Sequence, residues 1–218
     1  VIDIFGNGSF ATENSIVGVN PRYIERDELF EYVEKECKAL LEGNDIPEAG
    51  QSEYARLDKS FVRMVLAKLY LNAEVYVGKA MYAECGQLCK QLIADHPLHT
   101  TPVNAANTPY EELFMADNHQ FFGKEIIFLV PQDAVNITSW GVTNYLIHAA
   151  TSASSDKPNA LYMDPKKLGI ASGWGGLSLT YEFSDKFDLD KDDRAMFHTL
   201  FGQSIDNIFE FLTEDPSK

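Results

Sequence analysis

Between Leu57 and Asp95 the chain carries its most restrictive pattern, two runs of helical apolar periodicity divided at Gly78-Lys79 and closed by His96-Pro97. In the first run, Leu57 to Val77, the residues Phe61, Met64, Val65, Leu66, Leu69, Tyr70, Ala73 and Tyr76 cover more than one helical face. A helix does this when neighbours pack on both of its sides, so the run is predicted to be central. Gly78 supplies the stop. The second run, Ala80 to Asp95, is amphipathic, with Ala83, Leu88, Cys89, Leu92 and Ile93 assigned to its inner face, and Pro97 bars its continuation. The short connection predicts an antiparallel hairpin.

Upstream, Asp27 to Glu42 repeats Leu29, Phe30, Val33, Cys37, Leu40 and Leu41 at helical spacing, with acidic Asp27 and Glu28 in the first turn and Gly43 as a stop. The segment GNDIPEAGQSE from Gly43 reads as a linker, and Val1 to Pro21, rich in Gly, Asn and Ser, as loops or short extended pieces. A helical hairpin of about 34 residues has the length of a tetratricopeptide unit, and arrays of that kind need about three units, so either the helix upstream belongs to another pair or, the preferred expectation, further partner helices lie outside this chain. The expected class is mainly α, with tetratricopeptide-like helical pairs in a scaffold over 1–105 and a loop-rich region containing short strands over 106–218, together one continuous fold.

Within the second region, Tyr110 to Met115 suggests a short helix and EIIFLVPQD from Glu125 a short strand. From Asn136 to Gly176 aromatics alternate with Asn, Ser, Thr and Gly, a texture too broken for long elements. Leu177 to Phe187 accommodates a short helix, and Arg194 to Leu212 shows no clear period.

Several functions are disfavoured. With 18 basic and 33 acidic side chains the formal charge is −15, the wrong sign for nucleic acid or anionic lipid. The three cysteines, Cys37, Cys85 and Cys89, are too few for a disulfide scaffold and lack zinc-site spacing; Cys85 and Cys89, four apart, read as small buried apolar residues. No apolar run is long enough to span a bilayer. Glu111 and Glu112 are adjacent and cannot face each other across a glycosidic bond, and no nucleophile elbow, phosphate loop or His-Glu-x-x-His helix occurs. The histidines His96, His99, His119, His148 and His198 are scattered, and DLDKDD from Asp188 lacks the Gly and Glu of a calcium loop, leaving a solvated turn with at most Asp192 or Asp193 pairing Arg194. Neither metal nor cofactor is expected, nor catalysis.

Three blocks carry a resemblance. VRMVLAKLYLNAEVYVGKAMYAECGQLCKQLIADHP from Val62, YEELFMADNHQFFGKEIIFLVPQD from Tyr110 and SGWGGLSLTYEFSDKFDLDKDDRAMF from Ser172 occur in the order seen in the SusD/RagB family, which they resemble. The chain departs from the family pattern at Glu25 and in the opening FGNGSF. The resemblance implies a non-catalytic protein that binds an oligosaccharide or polysaccharide at the bacterial outer-membrane surface. It also implies a lipid anchor absent from this chain and a SusC-like, TonB-dependent transporter as partner. The loops suit that implication, because aromatic faces stack on apolar sugar C–H groups and amides bond hydroxyls. Trp140, Tyr145, Asn144, Tyr162 and Trp174 are the expected ligand-binding residues, with Asn136, Asn159 and Asp164 nearby in sequence; Trp140 and Tyr145 lead, since Trp174 lies in the shared SGWGG landmark and suits a structural role. The alternative is a helical-repeat scaffold that binds another protein without glycan.

Overall fold

The computed structural model describes residues 2–115, 117–131, 135–136, 141–151, 170–177, 180–188 and 190–195, and these are mainly helical, with one small two-stranded sheet. Two compact units are present, Val1–Pro131 and Gln132–Lys218. No helix among the described residues is long and apolar enough to cross a membrane.

The first unit opens with β1 (Gly8–Phe10) antiparallel to β2 (Arg22–Ile24), Ser9 facing Tyr23. Phe10 meets Tyr32 edge-on at 4.8 Å, which ties the hairpin to α1 (Arg26–Glu42). That helix follows its periodicity: Phe30 and Cys37, two turns apart, are buried, and the Gly43 N–H closes the end on the Ala39 carbonyl.

α2 (Lys59–Leu71) is held at its start by a buried carboxylate. One Asp58 oxygen accepts from the N–H groups of Ser60 (2.9 Å) and Phe61 (3.1 Å), and the other from Gly50 N–H (2.8 Å). The cap therefore also fastens the linker, assisted by Lys59 on Glu48 at 2.6 Å. The helix predicted to run unbroken to Val77 is interrupted at Asn72 and resumes as α3 (Ala73–Val77). The Asn72 amide donates to the Lys68 carbonyl, a local side-chain bond that competes with helical continuation. Gly78, in the left-handed region at φ 69°, ends α3.

α4 (Tyr82–Asp95) returns antiparallel, but its buried face is set by Met81, Cys85 and Leu92, with Leu88 and Cys89 partly covered. Ala83 and Ile93, predicted inward, are exposed: the spacing of four, three and four residues from Met81 defines an arc that excludes both. Cys85 and Cys89 bring their sulfurs to 4.0 Å as free thiols, in keeping with their reading as packing residues.

Phe30, Cys37, Leu66, Ala67, Tyr70, Ala73, Met81 and Cys85 belong to one core. At its edge the Tyr70 hydroxyl donates to Glu34 (2.7 Å), which also accepts from Lys38 (2.6 Å). Burial, then the Glu34 bond, pushes the Tyr70 phenol up to about 12.

A second shell follows. α5 (Pro109–Glu112) starts in a capping box between Thr108 and Glu111. Buried Glu112 accepts from the N–H groups of Val103 and Asn104, both at 2.8 Å, and from His99 at 2.7 Å. The Asn104 amide foremost, joined by the Val103 amide and the His99 imidazole and opposed by burial, holds Glu112 down at about 2. Phe121 lies buried under the His99 ring, and Phe128 packs on Phe61 at 4.8 Å. Over its described residues the strand predicted from Glu125 is not formed: Glu125 lies in a turn, one isolated bridge joins Phe122 and Ile126, and Phe128 packs on Phe61 of α2 instead of on a neighbouring strand.

In the second unit, α6 (Val142–Ala150) corrects the expectation that 136–176 lacks longer elements. α7 (Tyr181–Ser184) falls within the stretch assigned a short helix, and Arg194 clasps Asp192 at 2.8 and 2.6 Å.

Two outcomes follow for stability. Asp58→Ala removes the cap and the linker tether together, lowering urea-unfolding stability by about 2 kcal/mol. Glu112 has a folded pKa of about 2 against an ordinary 4.5, so the stability it contributes is present above 4.5 and drains away as pH falls towards 2. Thermal unfolding across that window should show a steeper loss for the native chain than for Glu112→Gln.

Candidate functional site: an aromatic face on the second unit

From Ala134 to Ser155 the sequence contains no Asp, Glu, Lys or Arg, and none occurs from Gly169 to Tyr181, although 23% of the chain is charged. Both α6 and residues 170–177 come from these uncharged stretches, and the structure brings them together.

The joint is main-chain chemistry. A helix leaves its last carbonyls without internal partners, and here a loop supplies the donors. Trp174 N–H donates to the His148 carbonyl (2.7 Å), Gly175 N–H to Thr151 (2.8 Å), and Gly176 and Leu177 N–H to Ala149 (2.8 and 2.9 Å). The Thr151 hydroxyl, also buried, donates to the Ile147 carbonyl. Gly175 sits at φ 65°, a left-handed conformation that lets successive amides turn onto the helix end. The SGWGG segment thus docks onto the end of α6 through its backbone.

The Trp174 ring is a separate matter, since it is 47% exposed and stands edge-on to Tyr145, itself 52% exposed, with centroids 5.8 Å apart and planes at 63°. His148 stacks on the same indole at 5.1 Å and 22°, and its Nδ1 donates to the Ser172 carbonyl at 2.7 Å. Leu146 and Leu177 add exposed apolar surface. Two of the expected ligand-binding residues, Tyr145 and Trp174, are therefore neighbours despite lying far apart in sequence. Asn144 is exposed on α6, four residues before His148 and so on the same side of the helix. Trp140 and Tyr162, with Asn159 and Asp164, lie outside the described residues. His148 was not among the expected site residues; the signal for it is its three-residue spacing from Tyr145 inside an uncharged segment.

Chemically this is a neutral surface with apolar ring area, suited to stacking and unsuited to ion pairing. Among the described residues no group of three or more His, Cys, Asp or Glu could hold a metal ion. Gly175→Ala forces a side chain into the left-handed region and should cost about 1–2 kcal/mol, read as a lowered unfolding midpoint accompanied by loss of near-UV circular dichroism from Trp174.

No family model matches the chain. The chain is 28% identical over 199 residues to the starch-binding protein SusD of Bacteroides thetaiotaomicron, an alignment covering 89% of this chain and 32% of SusD. It thus spans about a third of the length of that curated relative. Similarity over so much of this chain bears out the resemblance carried by its sequence blocks: most of the chain is similar to part of SusD.

Proposed function

We propose that this chain captures a neutral oligosaccharide or polysaccharide on the aromatic face built by Tyr145 and Trp174, without breaking a bond in it. The carrying observation is the half-exposed pair of rings at 5.8 Å on an uncharged helix-and-loop surface. Sugar rings present apolar C–H faces to such a pair, and Asn144 offers an amide to their hydroxyls. Trp140 and Tyr162 are further candidate ligand contacts in this reading. Because the relative is a starch-binding protein, starch is the first ligand to try. Hydrolysis would require two opposed carboxylates, and neither α6 nor residues 170–177 contribute one. In the cell the protein works at the outer-membrane surface, held by a lipid anchor, and passes its glycan to a SusC-like, TonB-dependent transporter.

Affinity electrophoresis in gels containing starch tests the proposal. The native chain should be retarded, and Trp174→Ala and Tyr145→Ala should each weaken binding about tenfold, the loss expected of a central aromatic contact. Failure of starch and of a panel of other plant, host and microbial polysaccharides to retard the native chain would overturn the reading and favour a protein-binding scaffold.

A further inference from the structure

We propose that His148 is a positioning residue for the aromatic face, fixing the Trp174 indole in the orientation a glycan stacks on. This rests on the reading of that face as a glycan site.

Three bonds and contacts converge on one residue. Its carbonyl accepts the Trp174 N–H at 2.7 Å, its Nδ1 donates to the Ser172 carbonyl at 2.7 Å, and its ring lies nearly parallel to the indole, 22° off at 5.1 Å. Since a carbonyl oxygen can only accept, Nδ1 carries the hydrogen, which selects the tautomer and holds the imidazole plane. His148 thereby grips the loop on both sides of Gly173, at Ser172 and at Trp174.

The contributions of backbone and side chain are separable. Any residue at 148 retains the carbonyl that receives the Trp174 amide, so the loop stays attached to α6. What the imidazole adds is a surface against which the indole settles. An indole that loses its parallel partner samples more side-chain orientations, and a ligand must then bear the cost of selecting one. Tyr145 meets the indole edge-on at 63° and cannot replace a parallel backing. His148 is thus expected to act on affinity through Trp174 with no requirement to touch the sugar.

The experiment compares the native chain with His148→Ala, His148→Phe and His148→Asn by calorimetry against soluble starch. In parallel, emission and acrylamide quenching of Trp174 are read in a Trp140→Phe background, where it is the one tryptophan left of two. His148→Ala should weaken starch binding about three- to tenfold, the range expected for releasing one ordered side chain, and should make Trp174 easier to quench. His148→Phe, which keeps a flat ring, should recover most of both; His148→Asn, which keeps a donor for Ser172 but no ring, should recover little. Native-like affinity and quenching in His148→Ala would overturn the assignment, as would equal recovery by Asn and Phe. If the native chain binds no glycan, the proposed function falls, and quenching decides the positioning role alone: increased quenching in His148→Ala supports it and unchanged quenching refutes it.

Discussion

The first unit depends on how closely α2 can be approached. Ala67 and Ala73, both buried and the latter with no exposed surface, sit among Leu66, Tyr70, Met81 and Cys85, where a larger side chain would push the neighbouring helices outward. Close-packed interiors have no slack to absorb such a change. Once α1 and α4 are seated, polar groups fix the remaining freedom: Tyr70 and Lys38 meet on Glu34, Arg63 reaches Asp95 at 3.3 Å, and Asp58 draws the linker down onto the start of α2. The apolar contact supplies the driving force, and these polar bonds at its margin specify one arrangement.

How much of this can be read without coordinates depends on the range of the interaction responsible. α1 matches its periodicity to within a residue at its start, and the turn at Gly78 is where a glycine between two amphipathic runs places it, because both are decided within one or two helical turns. The break at Asn72 is local too, but it follows from a side-chain bond that periodicity does not register. Ile126, Ile127, Phe128 and Val130 are β-branched or aromatic, the composition of a strand; what Phe128 packs on, Phe61 of α2, is more than sixty residues away and invisible to any window. The same limit hides α6, whose short run of Thr, Tyr, Ile and His is no strong helix former and whose carbonyl end is completed by amides from Trp174 onward.

The candidate site shows a similar division. Tyr145 and Trp174 can each be chosen from sequence because aromatic rings in polar, glycine-rich surroundings are unusual candidates for a core. Their pairing cannot, and neither can the stack of His148, since both require the return of the chain to the end of α6. The uncharged stretches are the most informative trace of the face in the sequence: a strongly acidic chain that keeps two separated segments free of charge is preserving a neutral surface where they meet.

The four amide-to-carbonyl bonds that join Trp174, Gly175, Gly176 and Leu177 to α6 involve no side-chain atom. Docking of the loop and the character of the exposed rings are consequently written in different atoms of the same few residues. Such a chain can exchange its rings at 145, 148 and 174 while its loop stays docked. A change at Gly175 instead disturbs the whole face at once, whatever rings it carries.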